Sequence, residues 1–135
     1  VYSLVYVSKC LLTPDYAGAG IEAIIEVATA RNAATGVTGA LLYTGARFAQ
    51  LLEGEKDAVL AIMASIARDP RHGDIVILDQ RAASARRFSH WSLVYGHSTF
   101  AAGIVERALA AHGHADEYPL RNLIRLLQEL APSAG

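Results

Sequence analysis

Residues 37–54 read VTGALLYTGARFAQLLEG, two apolar runs separated by Gly45-Ala46. A glycine-bearing turn between β-like runs of this length marks a hairpin. Upstream, residues 1–7 alternate, with Tyr2, Leu4 and Tyr6 on one side and Ser3, Val5 and Val7 on the other, which makes them a strand. Thr13-Pro14-Asp15 breaks that pattern. Ile21, Ile24, Ile25 and Ala28 then fall at helical spacing, with a stop expected near Asn32, ahead of Thr35-Gly36. Downstream of the hairpin, Val59, Ile62, Met63 and Ile66 recur at i, i+3, i+4 and i+7. They predict a second amphipathic helix that ends before Asp69-Pro70. Apolar stretches at 75–78 and 91–95 supply two more strands.

The resulting order, β-α-β-β-α-β-β, contains the split βαβ pattern of ferredoxin-like sandwiches. The expected fold is α+β, a mixed five-stranded sheet with two helices on one face, occupying residues 1–97. Residues 98–135 differ in character. Residues 100–111 and 118–131 predict two helices joined by His112-Gly113-His114, and Leu120, Leu123, Ile124, Leu127 and Ala131 form an apolar stripe. This C-terminal helical hairpin has to bury its stripe on the free face of the sheet or on another chain.

Apolar residues make up 53% of the chain and charged ones 19%, enough core material to exclude disorder over most of the length. Net charge is −1 with no block of like charges, which argues against a nucleic-acid or anionic-membrane partner. No apolar run is long enough to span a membrane, and the N-terminus has no basic-then-apolar leader. The one cysteine, Cys10, cannot form an internal disulfide, so a reducing cytoplasmic setting is expected.

Three polar side chains fall on faces that the periodicity makes apolar. Gln50 shares its strand face with Phe48 and Leu52. Tyr6 shares its face with Tyr2 and Leu4, and Asn32 continues the stripe of Ile21, Ile25 and Ala28. A buried amide or hydroxyl without a partner costs about 1–3 kcal/mol, so each needs hydrogen bonds. Taken singly, each has an ordinary explanation: a core tyrosine bonded to the backbone, a helix-capping asparagine, a shifted strand register. Together they point to a pocket for a polar ligand, and periodicity alone does not name it.

These residues sit in phrases that resemble the BLUF family, blue-light sensors that use flavin adenine dinucleotide (FAD). The phrases are LVYVS around Tyr6, ARNAATGVTGALLYTG from Ala30, RFAQLLEG ending at Gly54, RDPRH from Arg68 and RRFSHWSL ending at Leu93. They cover residues 1 to about 96 in register. The resemblance implies that Tyr6 is the redox-active tyrosine, Gln50 the switching glutamine and Asn32 the anchor of the flavin's pyrimidine edge. It implies that Ile24 and Ile66 clamp the ring, that Phe48 joins these contacts, and that Asp69, Arg71 and His72 meet the far edge of the cofactor. Arg31 would lie along the ring, meet a phosphate or stay solvated. Trp91 and Leu93 would relay the signal, and which of them faces the flavin is left open. The implied cofactor is FAD, with FMN or riboflavin acceptable to a pocket that grips mainly the ring.

The implied function is a photoreceptor without enzymatic activity. It would assemble as a homo-oligomer and signal to a downstream effector protein by contact, with the helical hairpin as the output surface. Two departures stand out. Leu93 occupies a place where the family typically has methionine, and Ser65 one where some members have arginine. Leucine keeps the volume and loses the thioether, a weak hydrogen-bond acceptor. The rival functions are a flavin-dependent redox enzyme and a small ferredoxin-like hydrolase. Gly18-Ala19-Gly20-Ile21-Glu22-Ala23 fits the loose dinucleotide fingerprint, but it lies about ten residues beyond the strand and has no partner acid. His90, His97, His112 and His114 lack the companions of a metal site, so no metal is expected.

Overall fold

The hairpin forms around Gly45, whose φ of 98° is open to glycine at little cost. Strands β2 (Thr38–Tyr43) and β3 (Arg47–Gly54) pair antiparallel on either side of it, with Tyr43 opposite Phe48 and Gly39 opposite Leu52. Gly39 is required by close approach, since a Cβ there would collide with the Leu51 carbonyl oxygen. The computed structural model describes residues 1–13, 17–89 and 92–131. Around the hairpin come β1 (Tyr2–Cys10), α1 (Ala17–Thr35), α2 (Lys56–Arg68), β4 (His72–Ala82) and β5 (Val94–His97). The helices α3 (Ala102–Ala110) and α4 (Tyr118–Glu129) follow.

The sheet order is β4-β1-β3-β2-β5. β1 pairs antiparallel with both β3 and β4, and β5 lies parallel to β2. Each βαβ unit is thus split: β3 lies between β1 and β2, and β1 lies between β3 and β4. This is the ferredoxin-like arrangement with a fifth, parallel strand added, as the element order predicts.

Side-chain alternation then assigns the two faces. One face carries Leu4, Tyr6, Leu41, Phe48 and Leu52 under α1 and α2, which contribute Ile21, Ile24, Val59, Ile62 and Ile66. The other carries Val5, Val7, Ala40, Leu42, Ala49 and Leu51 under α3 and α4, which bring Val105, Ala108, Leu123 and Leu127. Of the two burial sites open to the C-terminal stripe, the sheet's second face is the one occupied.

Element bounds depart from the sequence pattern where backbone pairing outruns the apolar run. β4 spans His72–Ala82, well beyond 75–78, because β1 offers a ladder along its whole length and polar residues such as Gln80 and Arg81 suit a sheet edge. β5 begins at Val94 and not at 91. α1 continues past Asn32 to Thr35. There Gly36, at φ 69°, ends it, and the Val37 amide donates to the Asn32 carbonyl at 2.9 Å. Asn32 is therefore not a cap, and its side chain is left for other bonds.

Candidate functional site

The cleft under α1 and α2 starts from one register fact. Tyr6 pairs directly with Gln50, and Gln50 with Leu41, so these three side chains stand in a row on the face under α1 and α2. The Tyr6 hydroxyl donates to Gln50 Oε1 at 2.6 Å, and both residues are buried. That bond fixes the amide so that its nitrogen points away from the tyrosine. Gln50 Nε2 is buried and finds no partner among the described residues.

α1 supplies the next two polar groups. Asn32 is fully buried, its Nδ2 donates to the Ser92 carbonyl at 2.9 Å, and its Oδ1 has no partner among the described residues. Arg31, half-buried beside it, has an Nε in the same condition. An orphaned donor on Gln50, an orphaned acceptor on Asn32 and a buried guanidinium nitrogen form a set that an apolar ligand would leave unpaired. A planar heterocycle bearing both acceptors and an N–H satisfies it. The donor set therefore fits a flavin's polar edge.

The opposite wall comes from the turn after α2. Asp69 accepts from Arg71 Nε and Nη2 at 2.9 and 2.6 Å, and from the Arg71 amide at 2.9 Å. The Arg71 guanidinium holds the Asp69 carboxyl below its ordinary range. His72 is buried, its ring centroid 4.8 Å from that of Phe48, with Nδ1 2.9 Å from the Ser8 hydroxyl. Burial pulls its pKa down, so the ring is neutral at neutral pH. Burial also pushes the Tyr6 phenol well above its ordinary value, with Arg31 opposing. The tyrosine is a neutral donor throughout the physiological range.

Of the residues singled out in the sequence, Tyr6, Ile24, Arg31, Gln50, Ile66, Asp69, Arg71 and His72 line one cleft, together with Ser65, whereas Asn32 is not among its lining residues and sits next to Arg31 on α1. Val27, Ala28 and Leu41 line it as well, and only helical or strand spacing could have pointed to them. Phe48 and Leu93 stand beside it in the apolar cluster of Ile21, Ile24, Leu41 and Tyr43. Trp91 and His90 lie outside the described residues. Gly18 and Gly20 belong to the start of α1 and form no phosphate-binding turn after a strand. His97 sits in β5, its ring 5.0 Å from that of Tyr43. Among the described residues no group of three His, Cys, Asp or Glu could hold a metal ion.

The BLUF family profile, described as "Sensors of blue-light using FAD", matches residues 1–94. This chain belongs to the BLUF family. Its fold agrees: the dark-state structure of the BLUF protein BlrB superposes with a TM-score of 0.79 at 29% identity, covering 96% of each chain. Photoactivated adenylate cyclase subunit beta of Euglena longa is 37% identical over 92 residues, which is 67% of this chain and 10% of that protein. The blue light- and temperature-regulated antirepressor BluF of Escherichia coli (strain K12) is 47% identical over 68 residues, 50% of this chain and 17% of that one. The chain thus spans a minor part of these curated relatives. A flavin is the family's cofactor, and the orphaned polar groups of this cleft suit one. No helix among the described residues is long and apolar enough to cross a membrane.

Proposed function

We propose that this BLUF chain is a blue-light photoreceptor that completes a closed photocycle and turns over no substrate. The observation that carries the reading is the 2.6 Å hydrogen bond from Tyr6 to a buried Gln50 whose amide nitrogen is unpaired among the described residues. Gln50 Nε2, Asn32 Oδ1 and Arg31 would hold the cofactor's polar edge, and Ile24 and Ile66 its ring. FAD is the form the family implies, and FMN or riboflavin would satisfy the same ring contacts. When bound and excited by blue light, a flavin supplies a strong oxidant.

Tyr6 is the residue placed to give up an electron. Its phenol is neutral and deeply desolvated, so loss of an electron leaves an acidic hydroxyl in a medium that resists charge. The proton then departs along the existing bond to Gln50 Oε1. Gln50 can respond because a primary amide carries a donor and an acceptor on one rotatable group. When electron and proton return to Tyr6, the amide can be left with its donor and acceptor exchanged. Atoms and charge balance, and only the hydrogen-bond pattern of the site differs.

Asn32 connects this site to the rest of the molecule. It would meet the cofactor through its unpaired Oδ1, and it holds the chain just ahead of β5 through Nδ2. A rearrangement in the cleft would reach β5 and the α3–α4 hairpin, from which we infer signalling by contact with an effector protein or a second copy of the chain. Leu93, in place of methionine, would alter signal strength or recovery rate with the photochemistry preserved. Absorption spectra before and after blue light test the reading. A yellow protein whose spectrum shifts slightly to the red and recovers in darkness is expected. Colourless protein would sink the proposal, and bleaching to reduced flavin as the primary response would favour a redox enzyme.

A further inference from the structure

Glu53 is fully buried near the end of β3 remote from the hairpin turn, on the sheet face opposite to Gln50 of the same strand. A carboxyl group loses its hydration there, and it persists where it makes bonds that an apolar side chain could not. Its Oε2 accepts from the Arg87 amide at 2.9 Å and its Oε1 from the Phe88 amide at 2.5 Å. The Thr38 hydroxyl also donates to Oε1, at 3.3 Å. Arg86 closes the cluster, its Nη1 donating to Thr38 Oγ1 at 3.0 Å and to the Glu53 carbonyl at 3.3 Å. Phe88 itself is driven into the core under α3 and α4.

A little further along the chain, the Ser92 carbonyl accepts from Asn32 on the other side of the sheet. The backbone is thus held at Arg87 and Phe88 by a residue with no part in the cleft, and at Ser92 by Asn32, the neighbour on α1 of the cleft-lining Arg31. Beyond Ser92 comes β5, and Leu130, the residue that ends α4, packs on it: a Cβ on Gly96 would lie 2.5 Å from Leu130 Cδ2.

We propose that Glu53 is a positioning residue of the light response, clamping the Arg87 and Phe88 backbone so that a change at the Asn32–Ser92 bond is delivered into β5 and α4. The inference rests on the photoreceptor reading. With the far end fixed, a displacement at Ser92 is not taken up at Arg87 and Phe88. With it released, the same displacement relaxes into the loop at 83–89, and the output helices do not feel it.

Hydrogen exchange of the flavin-loaded full chain, in darkness and under blue light, tests this. In the wild type the Arg87 and Phe88 amides stay equally protected in both states, while residues 94–97 and 127–130 change. Loss of protection at Arg87 and Phe88 in the light would overturn the proposal without any variant. Glu53→Gln keeps the shape but sets an amide N–H against one backbone N–H. It is expected to retain flavin and the red shift, while its light-dependent exchange moves from 94–130 to 83–89. A folded Glu53→Gln protein with the wild-type exchange pattern, or one that loses the red shift, also defeats the proposal. Absence of any red shift in the wild type would instead defeat the photoreceptor reading.

Discussion

The Tyr6–Gln50 bond makes separable predictions for its two partners. Tyr6→Phe removes the donor and leaves Gln50 Oε1 buried without it, at a cost of about 1–3 kcal/mol that a denaturation midpoint would register. The same variant should bind flavin and show no reversible red shift. Gln50→Leu should also stay yellow and lose the shift, whereas a normal shift there would remove Gln50 from the mechanism. His72 adds a pH dependence. Burial holds its folded pKa below the ordinary 6.5, so the unfolded chain takes up a proton that the folded site resists. Its contribution to stability is full above about pH 6.5 and lost as pH falls through the folded value. Denaturation midpoints at stepped pH should show that loss, and His72→Gln should flatten it. Tyr6, Asn32 and Gln50 were legible in the sequence because each puts a polar group on an otherwise apolar period. Other bonded polar groups of the fold were not. Ser8, Glu53 and Ser92 read as ordinary strand or loop polar residues, and the groups that claim them lie 64, 35 and 60 residues away.

Among the elements, glycines separate what backbone conformation demands from what packing demands. Gly36 ends α1 at φ 69° with open space around it, so Gly36→Ala is penalised by conformation alone, about 1–2 kcal/mol. Gly18 lies near the start of the same helix with nothing near its missing Cβ, and Gly18→Ala should be neutral or stabilising by up to about 1 kcal/mol. Thermal melts should show a lower midpoint for Gly36→Ala and an unchanged or higher one for Gly18→Ala. A matching loss in both would mean that Gly18 is held by something other than the helix. The hairpin and both inner helices were legible because a local apolar period announced them. β4 was only partly so. Its register against β1 shifts between Val5 and Tyr6 and again between Val7 and Lys9, and two-residue alternation cannot follow a ladder interrupted in this way. The shifts flank Tyr6 on the strand that carries it.

For the whole molecule, the telling feature is a sheet buried on both faces by different kinds of helix. α1 and α2 enclose the cleft, while α3 and α4 cover Val5, Val7, Ala40, Leu42, Ala49 and Leu51. Periodicity suggests a division at residue 97, but the core under α3 and α4 is built from the strands of residues 1–97. A fragment ending at 97 would expose this apolar surface, and such surfaces associate. We therefore expect fragment 1–97 to keep the α1–α2 face and its cleft, yet to sediment as larger and more heterogeneous species than the full chain at the same concentration. Within the full chain, Leu127→Ala empties a fully buried site where α4 meets the sheet, at a cost of about 2–5 kcal/mol. If the hairpin only rested on the sheet, that substitution would loosen α4 and leave the rest intact. Because both faces share the same strands, the loss should appear instead as one cooperative transition at a lower midpoint, monitored by the helix signal and by flavin release together. Two separated transitions, or a soluble monomeric fragment with native exchange protection in its strands, would show that the hairpin is an independent unit, and would weaken the case for a signal passing mechanically from the cleft to α4.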